Sequence, residues 1–391
     1  MRITHIVATP ISIPFRRPER WSYGEHRGIT TLVIEMHTDS GIVGLGEAVA
    51  GGPGPRTLLA AVEELAPLLE GRDPTQIEAN VRRLYYVGGW YFFQRTGNLV
   101  IAGLEMAMWD ILGKALGQPV HKLFGGRVRE RVAFMYYLQR SDADVRTHTG
   151  EAVEAVGRGF NTVYIKVGDE EDADIELVAR LREAVGPRIR LRVDANEAWT
   201  VGTALRMLRR LEPYDLEFVE QPVRMDDIDA LVRLRGAARV PIGANQSAWT
   251  GQRILEIVQR GAADVILTDP HQEGGLGPFR KAVGLCELAG LPVVFHAYSG
   301  LTINMSATMQ VLCSSPNCML AHQAYAPGDI QDDVTTNVFD ISRGSAAVSE
   351  EPGIGVQLDR DKLQDAARRF QQEGFYSFFD ENAAPVWVPQ R

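Results

Sequence analysis

The chain has 391 residues, a net charge of −9 and three cysteines, a length that exceeds one ordinary core and suggests a large barrel with a second domain. The acidic balance argues against a nucleic-acid partner, because phosphate binding needs a basic surface. "MRITHIVATP" lacks the apolar run of a signal peptide and no later segment reaches membrane-spanning length, so no membrane association is expected. Cys286, Cys313 and Cys318 lie in apolar surroundings without a CxxC partner, which suits reduced thiols in the cytoplasm.

Up to about Gly126, strands come first and helices follow. "TTLVIEMHTDSGIVGLGEAV" holds two β-branched runs joined by the turn signal "TDSG". "RTLLAAVEELAPLLEG" and "QIEANVRRLYYV" carry apolar residues at helical spacing. "LEMAMWDILGKALGQPV" is a longer helix, stopped by Gly117 and Pro119. This order predicts a separate α+β domain over residues 1–126.

From 127 to about 340 the rhythm changes. Apolar runs recur at "VAFMYYL", "NTVYIKV", "IRLRVDAN", "LEFVEQP", "VPIGANQ", "ADVILTD", "LPVVFHA" and "NCMLAHQ", with amphipathic helical stretches between them. Such alternation predicts parallel β/α units, enough of them to close a TIM-type barrel. An open doubly wound sheet is the other reading, disfavoured by the lack of a Gly-rich phosphate turn. Residues 341–391 break the rhythm with "PGIGVQLD" and "FYSFFD", and are expected to pack back on the first domain.

The active site of a β/α barrel lies at the C-terminal ends of its strands. Here those ends carry Tyr164 and Lys166, Asp194 and Asn196, Glu220, Gln246, Asp269, His296 and His322. One such residue alone would read as a helix cap; successive strands delivering polar groups to one rim point to a site. Asp194 and Glu220 end neighbouring strands about 4.8 Å apart, and would repel unless a cation sits between them or one keeps a proton. Oxygen ligands with room for substrate and water suit Mg²⁺; the plainer reading is two solvated caps.

On "TVYIKV", alternation puts Tyr164 and Lys166 on one face. A lysine in the barrel mouth near a metal can have its pKa lowered enough to act as a base, or it can serve as a counter-ion. Asp269 and His296 end adjacent strands, where a carboxylate fixes the imidazole tautomer and supports a general base. Without that aspartate, a histidine in "VVFHAYSG" would read as a core residue.

These residues carry a resemblance to the enolase superfamily, in its mandelate racemase group (the mandelate racemase/muconate lactonizing enzyme family), over nearly the whole chain. "DSGIVGLGEA" and "LEMAMWDILGKALGQPVHKLFGG" resemble the family's capping domain. "YIKVG", "VDANEAW", "VEQP", "DPHQEGGL" and "FHAYSGL" follow at its intervals, and "PGIGVQLD" resembles its returning tail. The resemblance implies a capping domain over a modified (β/α)7β barrel, and abstraction of the proton α to a carboxylate with Mg²⁺ stabilising the enediolate. It makes Asp194 and Glu220 metal ligands, Lys166 a base on one face of the substrate, and His296, backed by Asp269, the acid or base on the other. Asn196 would contact metal-bound substrate, and the capping loop "PERWSYGEHRG", with Trp21, Tyr23, Glu25 and His26, would select it. It also implies a homo-oligomer, dimer or octamer, acting on a small carboxylate.

Three departures stand out. Tyr164 occupies the first lysine position of the family's KxK pair, so it joins the expected catalytic set with an altered role. Gln246 occupies the third metal-ligand position, normally an acid, and follows Asn245 where relatives often have glycine. His322 falls where relatives often carry a carboxylate on the last strand, and is expected to hydrogen-bond substrate. The expected reaction is Mg²⁺-assisted dehydration of an acid sugar, with racemisation or epimerisation by the same Lys/His pair as the alternative. Two further readings stand beside these: a metal-poor binding protein, and a site in which His322 joins the acids around Mn²⁺ or Zn²⁺.

Overall fold

Strand β1 (Ile3–Trp21) runs antiparallel to β2 (Gly24–Thr38), which pairs in turn with β3 (Val43–Val49). The structure is a computed structural model and describes residues 1–22, 24–52, 54–139, 145–298, 300–324, 330, 332–337 and 339–377. Pro10, Pro14 and Pro18 obscure β1 in the sequence; as an edge strand it tolerates them, because proline removes only a ladder donor. The segment expected to be a capping loop is thus the end of a hairpin, with Trp21 paired to Gly24.

Helices α1 (Pro55–Leu69), α2 (Ile77–Tyr86) and α3 (Gln94–Leu116) complete the capping domain. Leu58, Val62, Leu65, Leu84 and Leu104 bury against Leu32, Ile34 and Met36 of the sheet, each such burial contributing roughly 1.5–3 kcal/mol. Helix α3 lies so close to β3 that a Cβ on Gly46 would come within 1.9 Å of the Gly103 carbonyl oxygen. Only glycine fits there.

The second domain holds seven parallel strands side by side: β5 (Tyr136–Leu138), β6 (Thr162–Lys166), β7 (Arg190–Asp194), β8 (Phe218–Glu220), β9 (Ile242–Ala244), β10 (Val265–Thr268) and β11 (Val293–Phe295). Helices between them bury one stripe. In Val201–Leu211, Ala204, Met207, Leu208 and Leu211 face inward, and Thr200 caps the start by accepting from the Thr203 amide at 3.2 Å. This is the barrel architecture of seven β/α units implied by the sequence.

The expected eighth strand, "NCMLAHQ", shrinks to a single bridge. The His322 amide donates to Ala133 O at 2.8 Å, the Met135 amide to His322 O at 2.9 Å, and the Gln323 amide to Phe295 O at 3.0 Å, so the segment closes the barrel between β11 and β5. The first expected strand, "VAFMYYL", divides. Its start, β4 (Arg131–Ala133), pairs antiparallel with β12 (Ser345–Ala347), and only its end enters the barrel.

Two buried glutamates join the domains. Glu47 on β3 accepts from the amides of Leu301 (2.9 Å) and Asn304 (3.0 Å), at the start of helix Thr302–Leu312. Glu105 on α3 accepts from Leu276 (2.7 Å) and Gly277 (2.8 Å), at the start of helix Leu276–Leu288. Each caps a barrel helix from the other domain, satisfying amides left open by the helix geometry. The tail returns to the first domain, where Arg360 grips Glu35 at 2.8 and 2.6 Å and the Tyr376 amide reaches Thr30. Among the described residues no helix is long and apolar enough to cross a membrane.

Candidate active site

The strand register sets Lys166, Asp194 and Glu220 side by side in one row, one layer above Tyr164, Arg192 and Phe218. Lys166 donates to Asp194 Oδ2 at 2.7 Å, and the Tyr164 hydroxyl donates to the same oxygen at 2.6 Å. Asp194 Oδ1 accepts from the Asn196 amide at 2.7 Å. Around the Lys166 ammonium stand the rings of Trp21, Tyr137 and Tyr164, with centroids 5.6, 5.8 and 5.4 Å away, a cation–π enclosure.

Burial draws the Lys166 pKa down, but Asp194, Glu19 and Glu220 draw it further up, and the net shift is upward. The acids beside it, Asp194 foremost, outweigh desolvation. Glu220 moves the same way for different causes. Burial first and the Asp194 carboxylate second push it well above the ordinary range.

Among the described residues, three buried oxygens at the ends of β7, β8 and β9 have no hydrogen-bond partner: Asn196 Oδ1, Glu220 Oε1 and Gln246 Oε1. Buried polar atoms are rarely left so, and all three are acceptors, as a hard cation requires. The donor chemistry fits Mg²⁺, which Asp194, Glu220 and Gln246 would hold, with Asn196 beside them. Gln221 organises the third position. Its Oε1 accepts from the amides of Asn245 (3.0 Å) and Ser247 (3.1 Å), fixing the turn that presents Gln246. Asn245 ties that turn to the next strand through Leu267 O at 3.2 Å.

Across the mouth, His296 Nδ1 lies 3.4 Å from Asp269 Oδ2. The other Asp269 oxygen accepts from the amides of His271 (2.6 Å) and Gln272 (2.9 Å), so the carboxylate is held from behind. Strand order places Lys166 on β6 and His296 just beyond β11, with the strands of Asp194, Glu220 and Gln246 between them.

A cavity of about 280 Å³ opens above this row. Lys166, Asn196, Gln246 and His296 line it, as do Trp21 and His26 from the hairpin. Asp194, Glu220 and Asp269 sit behind the wall, fully buried. His26 is also buried, and burial pushes its pKa down to about 3. Glu25 faces away from the cavity and pairs with Arg27 at 2.8 Å; Tyr23 lies outside the described residues.

Tyr164 and His322 require correction. Tyr164 is fully buried outside the cavity lining, so its hydroxyl reaches Asp194 and not a substrate. His322 is also fully buried: Nδ1 accepts from the Phe295 amide at 2.9 Å, while Nε2 donates to Cys318 O at 3.2 Å. Both ring nitrogens are committed to the barrel seam, and the imidazole contacts neither the cavity nor the acids. Its neighbour Gln323 lines the wall instead.

The sequence reading missed Glu19, Arg95, Thr96, Tyr137, Met225, Trp249, Gln272 and Tyr298 on that wall. Tyr137 and Trp249 had a legible signal, being close to strand ends. Arg95 and Thr96 had none, since they come from the capping domain. Backbone geometry marks the same region. Of the six described non-glycine residues with positive φ, Asn196, Glu197, Gln221, Thr250 and Tyr298 lie in rim loops, where strained conformations collect at functional sites.

Residues 3–125 match the model of the mandelate racemase/muconate lactonizing enzyme N-terminal domain, and residues 148–362 match the enolase C-terminal domain-like family. The chain is 31% identical to the arabinonate dehydratase of Saccharolobus solfataricus, over 84% of this chain and 88% of that one. A crystal structure of an enolase from Streptomyces coelicolor, described as a candidate sugar isomerase, superposes with a TM-score of 0.87 at 30% identity, covering 96% and 99% of the two chains. A dipeptide epimerase from Enterococcus faecalis V583, complexed with Mg and L-Leu-L-Tyr, superposes at 0.84 with 27% identity, covering 91% and 100%.

Proposed function

Because the chain belongs to the mandelate racemase/muconate lactonizing enzyme family of the enolase superfamily, we propose that it removes the proton α to the carboxylate of a small acid, completing the dehydration of an acid sugar. One observation carries this reading: Lys166 and His296 line a single cavity from either end of the arc of oxygen donors.

His296 is the base. Its Nδ1–H donates to Asp269, which leaves the Nε2 lone pair to receive the α proton. Asp269, held by two backbone amides, keeps the ring in that tautomer. Lys166 is the acid. Its ammonium is stabilised by Asp194, and the Trp21 and Tyr137 rings beside it limit water access. It delivers a proton to the departing β-hydroxyl, and the resulting enol becomes a 2-keto-3-deoxy acid. A divalent cation, Mg²⁺ by family precedent, would supply positive charge to the substrate carboxylate when held by Asp194, Glu220 and Gln246.

The dehydratase relative favours loss of the β-hydroxyl. The epimerase relative favours a second reading, in which the same two groups work on a substrate with no leaving group at the β-carbon. Incubation of the enzyme with Mg²⁺ in D₂O separates them. Aldonic and aldaric acids should yield a 2-keto acid, detected as its semicarbazone, whereas an epimerised acid exchanges its α proton without forming one. Absence of both products from every acid sugar, hydroxy acid and amino acid tested would refute proton abstraction.

A further inference from the structure

Arg95 sits in the first turn of α3, exposed, on the wall of the cavity that holds Lys166 and His296. Its guanidinium reaches the Met225 thioether at 3.0 Å and makes no ion pair with a carboxylate among the described residues. Five N–H donors in a planar fork match an anionic group, and a thioether satisfies them poorly. Thr96, the next residue, adds a hydroxyl to the same wall.

The carboxylates nearby are already engaged. Glu197 accepts from the Met225 amide at 2.5 Å, and Glu19 accepts from the Tyr137 hydroxyl. Asp226 pairs with Arg224 at 2.8 Å. The cavity thus has a reacting end, where Lys166, Asn196 and Gln246 meet a carboxylate, and a capping-domain wall whose one guanidinium acts on Asp226 through space but is in ion-pair contact with no carboxylate among the described residues.

We propose that Arg95 is a specificity-determining residue that binds a second carboxylate on the substrate, so that this site takes compact dicarboxylic acids in preference to monocarboxylic ones. This rests on the reading that the reacting end receives the first carboxylate. The cavity volume of about 280 Å³ is at the small end for ligand sites, which keeps the two acid groups a short chain apart.

The test measures binding of hydroxy dicarboxylates of four to seven carbons, and of their monocarboxylate counterparts, by calorimetry in Mg²⁺. Wild-type, Arg95→Met and Arg95→Lys enzymes are compared. At least one diacid should bind the wild type more tightly than its monoacid, by about 10- to 100-fold for a charge-assisted pair. Arg95→Met should abolish that preference and leave monoacid affinity within about twofold, while Arg95→Lys, a point charge without the fork, retains part of it. The proposal is overturned if no diacid outbinds its monoacid, or if the preference survives in Arg95→Met. Solvent deuterium entering the α-carbon of bound monoacids reports on the parent reading separately: exchange without diacid preference removes Arg95 alone.

Discussion

Lys166 and the Tyr164 hydroxyl converge on one oxygen of Asp194, at 2.7 and 2.6 Å. The family pattern places a second lysine where Tyr164 stands and a carboxylate where Gln246 stands. Tyrosine keeps the hydrogen bond to Asp194 and removes a positive charge; glutamine keeps an oxygen and removes a negative one. These two departures offset each other in charge, whereas the third, a neutral His322 where the family pattern often has a carboxylate, leaves the rim one negative charge poorer.

That balance predicts a coupled response. A unit charge about 4 Å from a cation is worth roughly 4 kcal/mol at an effective dielectric near 20, before the greater desolvation cost of a carboxylate is subtracted. Gln246→Glu should tighten Mg²⁺ binding by about tenfold or more in calorimetry, Tyr164→Lys should weaken it, and the double variant should return near the wild type. Unchanged affinity in Gln246→Glu would place residue 246 outside the ligand set.

His296→Asn removes the proton acceptor and should lower α-proton exchange in D₂O by about 10²- to 10⁴-fold. Asp269→Asn should also slow exchange, through a different cause. An amide NH₂ facing Nδ1 favours the tautomer with its proton on Nε2, the atom that must accept. Equal exchange rates in wild-type and Asp269→Asn enzymes would show that the carboxylate does not set the tautomer.

His322 gives stability a defined response to acid. Burial pushes its pKa from 6.5 down to about 3, so below pH 6.5 the unfolded chain takes up a proton that the native seam refuses. Its contribution is full above pH 6.5 and is lost as pH falls towards 3. Between pH 7 and 5 the advantage of wild type over His322→Asn in urea unfolding should shrink by about 2 kcal/mol. A constant gap would contradict a neutral, backbone-bound imidazole.

Glu47 has the opposite sign. Burial raises its pKa from 4.5 to about 7, although Leu301 and Asn304 donate to it. The native state keeps a proton that the unfolded chain has released, so this contribution is present below pH 4.5 and is lost as pH rises through 7. Glu47→Gln cannot titrate. The stability gap between wild type and this variant should narrow by about 2–3 kcal/mol from pH 5 to pH 8, and a gap independent of pH would show the carboxylate ionised throughout.

Much of the placement of the candidate site's residues was legible because its signals are local. Asp194, Glu220 and Gln246 recur at equal intervals, as one β/α unit after another must, and alternation along "TVYIKV" puts Tyr164 and Lys166 on one side. His322 ends a strand-like run in the same manner and was read by the same rule. Its segment makes a single bridge, however, and the ring turns into the seam, where backbone groups claim both nitrogens. A strand-end rule presumes a strand.

By itself, the sequence determined the two-domain order, the repeating β/α unit and the residue types at the strand ends, since hydrophobic period and turn chemistry act over a few neighbouring residues. Tertiary structure alone decided that three carboxylates raise the Lys166 pKa against its burial, that Glu47 and Glu105 cap helices of the other domain, and that Arg95 shares a cavity with His296. Those outcomes depend on distances between groups far apart along the chain, where burial and charge act through space.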